Sequence, residues 1–458
     1  MLSALIKMPR APWALCWTLL LSSCATYRPL PLADGSQAAT VTDVVVDARS
    51  LHFPVLAAHA YDPADGLDML EVAMLAVVNN PDLRLVRDDA GVARAQAFSA
   101  GLLPDPQIAL ARDLSNTATG PGATRAYSYG LSYDVGALLA KSTLAGASAR
   151  DADKADLTVL WQEWQTASQA QLLFIKVVQA RRLLAVLNET RTLFADRVAR
   201  VEQALARGLL GSDALTPHLT ALQDVDRQRF DQQRLLFQAE RDLNALLGLK
   251  PDIVLDLRDG AVLAQAVPTL VADALDNLAL RRPDLRALSA GYGAEDQRYR
   301  AALLAQFPAL NLGLNRTRDT SNVNATGIAI SFSLPLFNRN RGNIAIELAT
   351  RRKLHDEYQV RLATARNDAL RILSQQAPDA ARARAIDGEL AALQQVLGKS
   401  QLAYQAGNAD VLVYTTARAA LLAKQLERIT LAQTRMEQQV ALRTLLGVDM
   451  NYTTGSMQ

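Results

Sequence analysis

Ser331-Phe332-Ser333-Leu334-Pro335-Leu336-Phe337-Asn338-Arg339-Asn340-Arg341-Gly342-Asn343-Ile344-Ala345 is where the chain changes its period. Before it, Thr326, Ile328, Ile330, Phe332 and Leu334 alternate with Gly327, Ala329, Ser331 and Ser333, which places the larger residues on one face of a strand. After it, apolar residues recur at threes and fours for dozens of positions, the spacing of a long helix. Pro335 has no amide hydrogen to give a sheet ladder, so the strand must close near it. Asn338 to Gly342 supplies turn formers and a helix start. Pro335 and Gly342 thus read as devices of a strand-to-helix joint, not as a binding site.

The joint is one of a pair. Asn80-Pro81-Asp82-Leu83-Arg84 and Arg282-Pro283-Asp284-Leu285-Arg286 match almost residue for residue, about 200 positions apart. The register continues, with Pro106 to Leu110 against Pro308 to Leu312 and Leu246-Leu247-Gly248-Leu249 against Leu445-Leu446-Gly447-Val448. The chain is therefore read as two tandem structural repeats, 67–249 and 269–448, joined by a linker at 250–268. An extended segment, 24–66, precedes them and a tail, 449–458, follows.

Each repeat has the same order. A helix leads through a proline to a strand, a polar loop, a second strand, a very long helix, a glycine turn and a shorter returning helix. The expected strands are 107–112 and 127–133 in the first repeat, 309–316 and 326–334 in the second. The long helices are expected over Leu144–Ala206 and Ile344–Gln405. Some 60 residues at about 1.5 Å each make a rod of roughly 90 Å, about twice a bilayer's full thickness. The rods end at Arg207-Gly208-Leu209 and Ala406-Gly407, where glycine can take the left-handed conformation. Ser212 or Asp213, and Asn408 or Asp410, can cap the returning helices. In the first repeat the joint falls near Tyr133-Asp134-Val135-Gly136, with Asp134 at the place of Pro335. The apolar stripes on the rods read as plain helix packing, so the function lies in what the rods enclose.

Charge is nearly balanced, with 48 basic and 46 acidic residues, which gives a nucleic acid nothing to bind. Lys7, Arg10 and the apolar run Ala11 to Leu21 make an export signal, 1–23, too short to span a bilayer comfortably. It ends in Leu21-Ser22-Ser23-Cys24, which resembles the lipobox of bacterial lipoproteins and implies a covalent lipid (palmitate) on Cys24 as mature N-terminus. Ala25 after it, in the same rule, directs the protein to the outer membrane. Of the two cysteines, Cys16 leaves with the signal, so no disulfide is possible. Later segments lack the roughly 18 apolar residues of a membrane helix, and any spanning part must be made of strands. Four strands cannot close a barrel, because an open edge in lipid leaves backbone groups unsatisfied. Either they form a small soluble sheet, or several chains pool them.

The Ser331 to Asn338 run with Arg341-Gly342-Asn343-Ile344, the two repeats, and the tip Tyr404 to Gly407 with Asp410-Val411-Leu412 together resemble the outer membrane efflux proteins, the TolC family. The resemblance spans about Leu67 to Val448. It implies a mainly α fold with a β-barrel contribution: a homotrimer whose twelve-stranded barrel lies in outer membrane lipid and continues into an α-helical periplasmic tunnel. It implies a passive exit duct of a tripartite efflux pump, serving multidrug or metal resistance with a periplasmic adaptor and an inner membrane pump of the RND type. By position, Arg207, Gly208, Leu209, Ala406 and Gly407 match the tip turns that dock the adaptor, and Asp410 matches an acidic residue near the aperture. Val413 and Tyr414 stand where a second acid would follow, which puts a double acidic ring in doubt. Asp410 can equally be a helix cap.

Among the four histidines, His52, His59, His218 and His355, none has a sequence neighbour at metal-ligand spacing, and no phosphate loop or nucleophile elbow occurs. The chain is read as no enzyme, with neither metal nor cofactor. A duct for type I polypeptide secretion and a non-pore periplasmic adaptor or scaffold lipoprotein are the alternatives. The second is disfavoured because such adaptors carry one coiled hairpin, not two. Sequence does not name the exported solute.

Overall fold

The computed structural model describes residues 27–32, 39–113, 125–258, 268–308, 310–333 and 335–447. Cys24 and its signal, the loop Ser115–Thr124, Leu334 and the tail 449–458 lie outside these. Contacts divide the chain after Ala38, and residues 27–32 of the first unit are exposed and without regular structure.

The second unit holds four strands, β1 (Gln107–Asp113), β2 (Ala126–Asp134), β3 (Leu310–Arg318) and β4 (Asn324–Phe332). Its helices are α1 (Pro54–Ala57), α2 (Met69–Asn79), α3 (Pro81–Gly101), α4 (Val135–Ala206), α5 (Leu215–Leu246), α6 (Pro268–Asp276), α7 (Leu278–Arg281), α8 (Pro283–Leu304), α9 (Arg341–Gln405) and α10 (Val411–Leu446).

α2 starts in a capping box: Asp68 accepts from the amides of Leu70 and Glu71, and Glu71 accepts from the amide of Asp68. It stops at Asn80, whose side chain accepts from Leu83 N–H at 2.8 Å to start α3 on Pro81. The proline thus divides the helix instead of kinking it. Asn80 Nδ2 also donates to the Leu246 carbonyl (2.7 Å), and in the second repeat Arg282 Nη1 donates to the Leu445 carbonyl (3.3 Å). The duplicated Leu-Leu-Gly ends of α5 and α10 are therefore clasped by the same position of their own repeats. Both end on a left-handed glycine, Gly248 (φ 65°) and Gly447 (φ 62°). A Cβ at Gly248 would lie 2.6 Å from the Asn79 carbonyl oxygen, so backbone approach as well as φ excludes a side chain there.

Two buried clusters lie where α2 and the segment 39–58 meet the middle of α4, and a third joins α6, α7 and α8 to α9 and α10. Phe53 is fully buried and meets Trp164 with ring centroids 5.0 Å apart. Single parallel bridges, Ala39 to Leu249 and Leu67 to Leu257, pair the segment before α2 with the one that follows α5.

Both long helices start earlier than their periodicity suggests. α4 runs 72 residues from Val135, not from Leu144, because Asp134 at the end of β2 accepts from Ala137 N–H at 2.9 Å and caps it without a loop. α9 runs 65 residues from Arg341, with Pro378 inside it. At about 1.5 Å per residue these rods are about 108 and 98 Å long. Of the stripe expected on α4 at Leu183, Leu187, Phe194, Val198, Val201 and Leu205 only Leu187 and Val198 are buried, and of that on α9 at Leu362, Leu370, Leu373, Leu390, Leu393 and Leu397 only Leu390. α4 packs between α5 and α10, and α9 packs on α8 and α10; among the described residues no other long helix packs on the outer flanks of α5 and α9.

The second joint is not built as expected. Gly342 has open space and an ordinary φ, and the left-handed residues are Arg339 (φ 45°) and Asn340 (φ 53°). Asn340 Nδ2 donates to the Ala302 carbonyl of α8 at 2.8 Å, which fixes where α9 begins. β4 stops at Phe332, three residues before Pro335.

Candidate functional site

The four strands form one antiparallel sheet in the order β1-β2-β3-β4, with β1 and β4 as open edges. Registers pair Ile108 with Leu131, Leu131 with Leu314, and Leu314 with Ile328. Alternation then gathers Leu110, Tyr129, Tyr133, Leu310, Leu312, Ile330 and Phe332 on that same face. Ile108 (73%), Leu110 (71%), Leu314 (55%) and Ile328 (78%) are exposed, so one chain leaves this face bare. The opposite face carries Ala109, Ala111, Ser128, Gly130, Ser132, Asn311, Gly313, Asn315, Gly327, Ala329 and Ser331, all small or polar. Nine residues at about 3.3 Å, tilted by about 40°, give a height near 23 Å, close to the apolar band of a membrane barrel.

At the far ends of the rods, Gly208 (φ 70°) and Gly407 (φ 72°) close α4 and α9. Leu209 N–H reaches the Ala204 carbonyl and Asn408 N–H the Ala403 carbonyl, at 2.9 and 2.8 Å, the six-to-one bond of a Schellman turn. Arg207, Leu209 and Ala406 are exposed. Asp410 Oδ1 accepts from Leu412 N–H (3.1 Å) at the start of α10. Asp213 does not cap α5: it sits in the turn Ser212–Ala214, and Ala214 precedes the helix with no side-chain cap bond. A cleft of about 440 Å³ joins the two tips and is lined by Val201, Leu209, Leu210, Asp410, Val411 and Leu412 among others. Above it, Arg418 of α10 pairs with Glu189 of α4 at 2.8 Å and reaches the Tyr414 hydroxyl at 3.3 Å. Tyr404 stacks on Tyr414, with centroids 5.9 Å apart and planes 10° from parallel.

Residues 274–448 match the sequence model of the family described as outer membrane efflux protein. That match covers the second repeat and makes it similar to the outer membrane efflux proteins. The fold of most of the chain is shared with solved outer membrane channels. CusC, a transmembrane channel, is 21% identical and superposes with a TM-score of 0.64 over 85% of this chain and 95% of its own. The outer-membrane channel OprN is 16% identical with a TM-score of 0.70 over 93% and 99%. The Neisseria gonorrhoeae MtrE outer membrane channel is 17% identical with a TM-score of 0.68 over 92% and 97%. No curated protein matches the chain in sequence.

Several polar groups of the chain escape sequence reading because their partners are far off in sequence. His59 Nε2, Asp68 and Glu71 bring ligand atoms within 4.8 Å of one another, a grouping that histidine spacing did not suggest. Its charge is already met. The Glu71 oxygens accept from the amides of Asp62 and Asp68, and Arg258 Nη2 lies 3.8 and 3.7 Å from Asp68 and Glu71. Beside the second joint, Glu295 of α8 is 4% exposed, and burial plus the Glu347 carboxyl of α9 pushes its carboxyl up to about 7. Arg298 opposes that rise from 3.3 Å and pairs also with Asp151 of α4.

Proposed function

We propose that this protein is the passive outer membrane exit duct of a tripartite pump. The observation that carries this reading is the sheet: one large-apolar face, one small-polar face and two open edges, continuous with rods of 72 and 65 residues. A sheet with bare apolar residues is stable beside lipid, but its edges then need partners, since each unpaired backbone group in hydrocarbon costs several kcal/mol. Pairing β4 of one copy with β1 of the next removes every edge, and three copies make a twelve-stranded barrel with a small-polar lumen. The rods then continue that lumen through the periplasm. The uncovered flanks of α5 and α9 meet between copies in the same arrangement.

At the inner end, the cleft joining the turns at Gly208 and Gly407 suits the periplasmic adaptor, with Arg207, Leu209 and Ala406 on the docking surface. Asp410 uses one oxygen as a cap and would bring three carboxylates to the aperture of a trimer, a modest cation preference. An inner membrane pump of the RND type supplies the energy, and Cys24 carries the lipid that holds the N-terminus to the membrane. Solutes delivered by the pump leave through the duct, which performs no chemistry.

Purified protein is expected to be a trimer that makes ion-conducting pores in planar bilayers, with Asp410→Ala shifting the reversal potential away from cations. Monodisperse monomers without conductance would overturn the duct.

A further inference from the structure

We propose that the loop end of the sheet's apolar face binds the phosphorylated headgroup of an outer-leaflet lipid, a site that rests on the duct reading above. Alternation keeps Arg112 of β1 and both Arg316 and Arg318 of β3 in phase with the apolar band, and Arg125 enters β2 beside them. Tyr127 lies in register between Arg112 and Arg318, and Tyr129 faces Arg316. Arg112, Arg125, Arg318, Tyr127, Tyr129 and Leu110 line a single cleft of about 600 Å³. Among the described residues no carboxylate pairs with any of these four arginines. Arg318 is held over the Tyr127 ring, 5.8 Å from its centroid, and its buried Nε has no acceptor.

The opposite end of the same face has no such charge: Ile108, Tyr133, Leu310, Ile330 and Phe332 occupy it. Guanidinium groups facing lipid are tolerated only near the interface, and several together repel unless an anion joins them. A phosphate monoester supplies nearly two negative charges and three acceptor oxygens, and guanidinium forks fit it. The cations lie at the hairpin-loop end, away from the rods, which the duct reading places in the outer leaflet. A lipid fits better than a free anion because the arginines continue directly into the bare band of Leu110, Leu131 and Leu314, which acyl chains would cover. Headgroup and tails are then held on one surface.

The test uses the full protein in phosphatidylethanolamine nanodiscs doped with bis-phosphorylated lipid A, followed by native mass spectrometry of the released protein. The parent should retain the phosphorylated lipid, and the R112Q/R125Q/R318Q variant should retain at least about tenfold less. The R112K/R125K/R318K variant, which keeps the charge, should retain more than the glutamine variant. Equal retention by parent and glutamine variant, or equal retention of dephosphorylated lipid A, would overturn the site. Displacement of the lipid by millimolar inorganic phosphate would overturn the lipid assignment in favour of a free anion. Insertion and conductance, recorded on the same samples, separate the two readings: variants that insert and conduct while lipid retention ignores the arginines sink the site alone. A parent that fails to insert sinks the duct and the site with it.

Discussion

Glu163 is a carboxylate at 1% exposure in the middle of α4, and it stays ionised because two cations reach it from other elements. Arg87 Nε and Nη2 lie 3.1 and 2.7 Å from Oε1, and His52 Nδ1 lies 2.8 Å from Oε2. Burial alone would raise the Glu163 carboxyl, but the hydrogen bonds from His52 and Arg87 outweigh it and hold the group below its ordinary 4.5. The same bond to Glu163 raises His52 above its ordinary 6.5. A histidine whose folded value is raised stabilises fully below about 6.5, and the contribution fades as pH climbs through the higher folded value. His52→Ala should therefore lower the thermal midpoint at pH 5.5 by the equivalent of about 1 kcal/mol, no more because solvent screens the half-exposed ring, and by less near pH 9 as the ring loses its proton. A loss that did not depend on pH would refute the charged pair. Glu163→Gln leaves Arg87 without its counterion and should cost about 3 kcal/mol in urea unfolding.

Among the elements, the glycine-ended helices divide into two kinds. Gly208 and Gly407 are left-handed with nothing within 4 Å of an added Cβ, so only backbone conformation demands glycine there. Gly248 is left-handed and also crowded by the Asn79 carbonyl. Gly407→Ala should cost about 1 kcal/mol, felt as faster amide exchange in the last turn of α9 and the start of α10. Gly248→Ala adds a steric clash across the clasp of α2 and α5 and should cost more than about 3 kcal/mol in global unfolding. Equal costs would mean that the repeat clasp is looser than its distances say.

For the whole molecule, the two faces of the sheet set what each strand position can tolerate. Leu314 and Asn315 are adjacent in β3 yet point to opposite sides. If three sheets close into a barrel, Leu314→Lys puts an ammonium into lipid near mid-height and should destabilise the inserted protein by about 2–4 kcal/mol. Asn315→Lys would place the same charge in the lumen, where it should leave stability almost unchanged and reduce cation conductance. Folding titrations in detergent and single-channel recording compare the two variants. A similar stability loss from both would argue against a lipid face and a lumen face.

The change of period at Ser331 to Ala345, the duplication, the phase of the strands and the glycines of the tips are written in local sequence, because each depends on residues a few positions apart. They suffice to read two copies of a hairpin with a coiled helix pair, and the resemblance. Helix starts were less legible: Asp134 caps α4 directly, and Arg339 and Asn340, not Gly342, turn the chain into α9. Tertiary structure alone decided the rest. The β2–β3 pairing that makes one sheet joins strands from different repeats, His52 and Arg87 reach Glu163 across 111 and 76 positions, and Arg112, Arg125 and Arg318 share one cleft. Such contacts have no local period, because they depend on which elements the closed fold sets side by side.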